Sequence, residues 1–393
     1  MKIIDLFAGC GGFSLGFEKA KFNTVFALEI DEWASQTFKH NHPDVKLFTK
    51  DIRKIKNINN LIPVKQIDGI IGGPPCQGFS LSGDRDQKDP RNSLFMDFSR
   101  FVKTLKPKFF VMENVPGILS MKTGNNESVV QIIKKQFHKI GYKVYIQKLN
   151  AAFYGVPQLR ERIFFFGIRN DFPMNPDYLI PKKIFNKDNF YSINDAISDL
   201  PLINAGEGNT KQNYLKKPKN EYQKKMRRNN KFIFNHIAMK HTQRLVDRFK
   251  VIKIGQSLAN VPKKHMQRKR GDVSKISGKI YGQNNMRPNP KNPSPTIAAS
   301  FQSNFIHPKL NRNFTAREAA RLQSFPDNYI FYGKRTTMSW EKNLSQYQQI
   351  GNAVAPLLAF EIAKSIKKYF KNIKKIKDDE NSYKIIEQYD LFS

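Results

Sequence analysis

"KIIDLFAGCGGFSLGF", residues 2–17, joins an apolar run to a glycine-rich turn and then to a segment of helical texture. Phe7, Ala8, Gly9, Cys10, Gly11 and Gly12 follow the run, and Gly16 lies on the segment beyond. Glycines at such a junction permit tight turning and let a ligand approach the backbone beside a helix N-terminus. The same alternation continues outward for about 170 residues. "TVFALEI", "VKLFT", "IDGIIGG", "KFFVMENV", "YKVYIQKLN" and "RIFFFGIR" read as buried, parallel strands. Amphipathic stretches such as "EWASQTFKHN" and "SVVQIIKKQFHKIG" lie between several of them. The pattern predicts an α/β fold, an open, doubly wound, Rossmann-like sheet whose ligands bind beyond the carboxyl ends of its strands.

From about residue 173 the texture changes, with Pro, Asn and Lys dense in "NDFPMNPDYLIPKKIFNKDN". An irregular basic region then runs to about residue 310, through "KKMRRNNKF" and "KKHMQRKRGD", and predicts a smaller β-rich or irregular domain. "TAREAARLQSFP" predicts a helix capped by Thr315, with Glu318 completing a capping box. Residues 356–376 predict one further amphipathic helix. The 393 residues carry a formal charge of +34. A surplus of that size implies a polyanionic partner, most simply nucleic acid, although a Lys-rich composition accounts for part of it. No apolar run is long enough to span a bilayer, and the start of the chain does not read as a signal peptide. With only two cysteines and no Cys/His cluster, neither a disulfide framework nor a metal site is expected, and a reducing cytoplasm is the expected location.

Chemistry-bearing residues gather where the strands end. Glu29 closes the second strand, where an acid accepts hydrogen bonds from ribose hydroxyls. Asp51 follows the third, placed to accept from the amino group of a nucleobase. With the glycine turn, these acids point to an adenosine-bearing cofactor. The fourth strand runs into "GGPPCQGFS", in which Pro74 and Pro75 stiffen the turn ahead of Cys76. The fifth delivers Glu113. A cysteine and a carboxyl at adjacent strand ends make a nucleophile and a proton donor facing one cleft. Taken alone, Cys76 reads equally well as a small buried residue, and Cys10 is read as packing. In "QLRER", Arg160 and Arg162 are placed to hold a phosphate and a polar base edge.

"DLFAGCGGFSLGF", "LEID", "KDI", "GGPPCQGFS", "ENV", "QLRER", "TAREAARLQSFP" and "QQIGNAVAP" occur in the order seen in DNA (cytosine-5)-methyltransferases, and the chain resembles a compact bacterial enzyme of that family. The resemblance covers about the first 170 residues and roughly 293–365. It implies S-adenosylmethionine as donor, S-adenosylhomocysteine as product and no metal. It further implies a Cys76 adduct at C6 of a flipped cytosine, Glu113 at N3, and Arg160 and Arg162 on the base and its phosphate. Cofactor contacts carried over are Phe7, Gly9, Gly11, Gly12, Glu29, Ile30, Asp51, Ile52, Pro74, Leu94, Asn352 and Val354. Residues 82–92 are implied to close over double-stranded DNA. The chain is then divided into a discontinuous catalytic domain, 1–190 and 344–393, and a target-recognition domain with hinge, 191–343. Arg227, Arg228, Arg268 and Arg270 are candidates for backbone contacts. A monomer in the bacterial nucleoid, paired in function with a restriction endonuclease, is expected. A tRNA cytosine-5 methyltransferase and a catalytically silent DNA-binding homologue are the competing expectations.

Overall fold

Strands β1 (Lys2–Leu6), β2 (Asn23–Glu29), β3 (Lys46–Thr49), β4 (Gly69–Gly72), β5 (Phe109–Asn114), β6 (Tyr142–Asn150) and β7 (Glu161–Arg169) form one sheet in the order β3-β2-β1-β4-β5-β7-β6. The computed structural model describes residues 1–64, 66–75, 94–124, 126–269, 271–276, 282–300, 304–338 and 340–380. Expectations placed on Cys76, on residues 82–92 and on Arg270 lie outside them. Helices α1 (Gly12–Lys19), α2 (Glu32–Asn41), α3 (Ile58–Leu61), α4 (Leu94–Leu105) and α5 (Val129–Lys139) each follow one of the first five strands. Those five strands are parallel.

The expectation of parallel pairing fails for the last two strands. β7 runs antiparallel to both β5 and β6. Residues 151–160, which join β6 to β7, are too few for the crossover that parallel pairing requires.

Both faces of the sheet are covered, which is why its strands read as unbroken apolar runs. Side chains alternate between the faces. Along β5, Phe109 and Val111 enter one core with Phe13 and Phe17 of α1, while Phe110 and Met112 enter the other with Phe98 of α4 and Phe137 of α5. Phe110 lies opposite Gly167 in the β5–β7 register, and a Cβ at Gly167 would come within 1.9 Å of its ring. That glycine is the space the ring occupies.

The middle of the chain adds α6 (Pro176–Leu179), α7 (Ile193–Ile197), the antiparallel pair β8 (Gly208–Asn213) and β9 (Phe232–Ile237), α8 (Glu221–Arg227) and α9 (Gln243–Val251). A second pair, β10 (Arg268–Lys269) and β11 (Asp272–Ile276), follows. Phe249, Ile252, Leu258, Val261 and Ile306 make a small core there. Ile193, Tyr222, Ile233 and Phe314 instead belong to the main core on the α1 side of the sheet.

Four helices complete the described chain: α10 (Ala316–Leu322), α11 (Gln346–Asn352), α12 (Pro356–Lys371) and α13 (Ile373–Glu380). Thr315 caps α10 as expected: its hydroxyl accepts from the Glu318 amide, and the Glu318 carboxylate accepts from the Thr315 amide at 2.7 Å. The single helix expected over 356–376 is broken at Asn372, where φ is −108° and the backbone leaves the helix. α12 packs lengthwise on α1, so the end of the chain returns to its beginning. No helix among the described residues is long and apolar enough to cross a membrane.

Candidate active site

Two hollows meet at the carboxyl edge of the parallel strands. The larger, about 400 Å³, is lined by Phe7, Gly9, Gly12, Glu29, Pro74 and Glu113, and across from them by Asn352 and Val354. The smaller, about 100 Å³, lies against Asp51, Ile52 and Leu94. Phe7, Glu29, Ile30 and Pro75 border both. Every residue expected at a cofactor is therefore here except Gly11. That glycine is the N-cap of α1 at φ +89°, and a Cβ on it would come within 2.5 Å of the buried His42 ring. Gly11 builds the turn without lining the cavity.

Glu29 ties the two strand ends together. One carboxylate oxygen accepts from the Gly9 amide at 2.7 Å, and the other from Ile30 and Asp31 at 2.8 and 2.9 Å. Burial pushes its pKa up, and these backbone donors oppose the shift. Ile30 stands 61% exposed between the hollows, unusual for so large an apolar side chain. Asp51 is gripped by the Arg53 guanidinium at 2.6 and 3.0 Å, which holds its carboxyl below the usual carboxylate range.

Asp5 is a pocket residue that sequence reasoning missed. It is buried, and it accepts from the Ser14 hydroxyl at 2.7 Å on one oxygen while the other has no partner among the described residues. Burial pushes its pKa up to about 8.

Glu113, at the end of β5, pairs with Arg162 of β7, whose Nε lies 3.0 Å from its carboxylate. Burial raises its pKa, while Arg162 and then Arg160 pull it back. A Cβ on Gly73 would lie 3.1 Å from that carboxylate, so the glycine leaves the acid its room. The next residue, Asn114, donates to the Pro74 carbonyl at 3.0 Å and accepts from the Val115 amide at 2.9 Å. It fixes the proline turn to the strand that carries the acid. In "ENV" the sequence alone marks only the first residue as functional. Cys76 follows that turn directly and lies outside the described residues.

The geometry has a counterpart in known proteins. Residues 1–368 match the family model for C-5 cytosine-specific DNA methylases. The chain belongs to that family. It is a DNA cytosine-5 methyltransferase. It is 60% identical to the type II methyltransferase M.DdeI of Desulfomicrobium norvegicum, over 100% of this chain and 95% of that one. It is 37% identical to the type II methyltransferase M1.HphI of Haemophilus parahaemolyticus, over 93% and 86% of the two chains. A solved structure of a candidate DNA modification methyltransferase encoded within an E. coli prophage covers 94% of this chain and 99% of its own. It has a TM-score of 0.73 at 29% identity. The Dnmt2 methyltransferase of S. pombe, at 16% identity and a TM-score of 0.58 over 93% and 98% of the chains, shares the fold.

The methyltransferase keeps Arg160 away from this cavity, contrary to expectation. Its guanidinium is buried and donates to the carbonyls of Ile297, Gly351 and Ala353 at 2.7, 2.9 and 3.0 Å. The three carbonyls take up both terminal nitrogens and leave only Nε without a partner among the described residues, so Arg160 positions the chain that carries Asn352 and Val354. Gln158 works beside it, donating to the Gln323 side chain at 2.7 Å and accepting from the Ile297 amide at 2.8 Å.

Cys10 is buried with its thiol 3.4 Å from the Gln349 carbonyl, and burial pushes its pKa up, as a packing role requires. Among the basic candidates, Arg227 is committed to Asp199 at 2.5 Å and lies 3.8 Å over the Tyr214 ring. It is a structural arginine. Arg268 donates weakly to the Ser274 carbonyl at 3.3 Å.

Proposed function

We propose that the enzyme methylates C5 of a cytosine within a specific double-stranded DNA sequence, with S-adenosylmethionine as donor, through a Cys76 adduct on a flipped base. The observation that carries this reading is the Glu113–Arg162 ion pair, 3.0 Å apart, whose carboxylate partner lines the larger cavity beside the clamped proline turn. The residues present fit the donor: one oxygen of the Asp5 carboxyl on the cavity wall has no partner among the described residues, and a cationic ligand bound there favours its ionised, accepting form. Glu29 takes the ribose hydroxyls and Asp51 the adenine amino group. Phe7, Ile30, Ile52, Pro74 and Leu94 enclose the ring, with Gly9, Gly12, Asn352 and Val354 closing the remainder.

Cys76 attacks C6 as a thiolate while Glu113 passes its proton to N3, so that no anion accumulates on the ring. Burial favours the protonated acid that this step needs. Arg162 orients the carboxyl and faces the base edge. When bound, S-adenosylmethionine supplies the electrophilic methyl group that C5 takes. The C5 proton then leaves to solvent, the sulfur–C6 bond breaks, and the N3 proton returns to Glu113. Extruding the base from the duplex costs a few kcal/mol, about the scale that contacts to the flipped ring can offset. Residues 191–343 carry target recognition; 1–190 and 344–393 carry the chemistry. Relatives at 60% and 37% identity are named type II methyltransferases, which supports modification of host DNA against a cognate endonuclease and favours DNA over tRNA as substrate.

Bisulfite sequencing of DNA from cells expressing the enzyme tests this. The expected result is protection of cytosine in one sequence context, abolished by Cys76→Ala and cut at least 100-fold by Glu113→Gln, an effect of the usual size for a lost general acid. A duplex carrying 5-fluorocytosine in that context becomes covalently trapped on the native enzyme. Full activity in Cys76→Ala overturns the mechanism.

A further inference from the structure

At the far end of α1 from the cavity, three cations from two separated parts of the chain converge. Lys19 ends α1, Lys225 lies on α8, and Arg228 is the left-handed C-cap of α8 at φ +46°. All three line one shallow hollow of about 10 Å³, floored by Leu15, Met226 and Leu357. None of its lining residues is shared with the larger cavity. Eight residues of helix put the two about 10 Å apart along the axis.

Three other exposed helical lysines find an acid one turn away: Lys224 of α8 pairs with Glu221, Lys250 of α9 with Asp247 and Lys364 of α12 with Glu361. The side chains of Lys225 and Arg228 have neither an ion pair nor a hydrogen bond among the described residues, and Lys19 has only the Phe360 ring beneath its ammonium at 5.0 Å. The nearby carboxylate, Glu361, is already taken by Lys364 at 2.9 Å. The cluster thus holds a concentrated positive charge that Glu361, shared with Lys364, compensates only in part. Consistent with this, burial and then the repulsion of Lys225 and Arg228 push Lys19 down to about 8.

We propose that Lys19, Lys225 and Arg228 form a phosphate-binding site outside the methyl-transfer cavity. The hollow admits one oxygen of a tetrahedral anion, and the guanidinium and ammonium heads take the others from the rim. A backbone phosphate of nucleic acid and free phosphate share this chemistry.

The test compares the native enzyme with a Lys225→Gln/Arg228→Gln variant, both exposed positions remote from the cavity. Inorganic phosphate at ten times its Kd, at constant ionic strength, is expected to raise the native melting temperature by about 1–2 °C and the variant's by less than half of that. A 30-base-pair duplex is expected to bind the variant about threefold to tenfold more weakly, and a 12-base-pair duplex equally well. Weakening on the long duplex assigns the site to a nucleic-acid backbone, and a lost phosphate response without it assigns the site to the free anion. Arg228→Lys, which keeps the charge, is expected to recover most of either effect. Equal responses of native and variant enzyme in both measurements overturn the proposal.

Discussion

Asp5 makes the pH dependence of stability measurable at a single residue. Its carboxyl titrates at about 8 in the folded enzyme, pushed there by burial, against 3.8 when exposed. Below about pH 4 both states hold the proton, and the contribution is fully present. Between the two values the native enzyme keeps a proton that the unfolded chain has released. Stability therefore falls as pH rises toward 8, by at most about 1.4 kcal/mol per pH unit from this group. Urea unfolding of Asp5→Asn between pH 5 and 8 is expected to lack that component. The same slope in both proteins would show that Asp5 is ionised throughout. Glu29, Asp51 and Glu113 were legible in the sequence because each ends or directly follows a strand, where a doubly wound sheet places its ligands. Asp5 was not, because it sits within the body of β1 and reaches the cavity only through the left-handed turn at Phe7 and Gly9, at φ +59° and +54°.

Among the elements, α1 and α12 are held at backbone contact. A Cβ on Gly16 would come within 2.4 Å of the Ala359 Cβ and 2.6 Å of the Pro356 carbonyl. Gly16→Ala must push the helices apart, and a loss of about 1–3 kcal/mol is expected on chemical denaturation, in spite of the better helix propensity of alanine. An unchanged midpoint would mean that the contact is slack. The boundaries of most elements could be read from the period of their apolar residues, and the Thr315 cap from its spacing to Glu318. Partners could not: the direction of β7 is decided by what its short connection can reach, and the pairing of α1 with α12 spans nearly the whole chain.

For the molecule as a whole, the question is how its two ends come to share one cavity. Arg160 is the fastener, since its buried guanidinium serves carbonyls at 297, 351 and 353 at once. Lysine cannot reach all three. Arg160→Lys is expected to raise the Kd for S-adenosylhomocysteine about tenfold by calorimetry, the effect of one or two lost charge-assisted hydrogen bonds. Binding to non-specific duplex should stay unchanged. An unaltered Kd would remove the positioning role.

The chain by itself determined its local chemistry: a turn that needs glycines, strands too apolar for anything but a two-sided sheet, and acids set where those strands stop. These follow from residues close together in sequence, whose preferences act before any distant contact forms. Only the tertiary structure decided which similar residues differ in duty. Arg162 meets the acid while Arg160, two positions away, is consumed by backbone carbonyls from the other end of the chain. Arg227 is held in an ion pair with the buried Asp199, while Arg228, its neighbour, is exposed and has no ion pair among the described residues. Burial and partners are properties of the packed whole, and no local pattern encodes them.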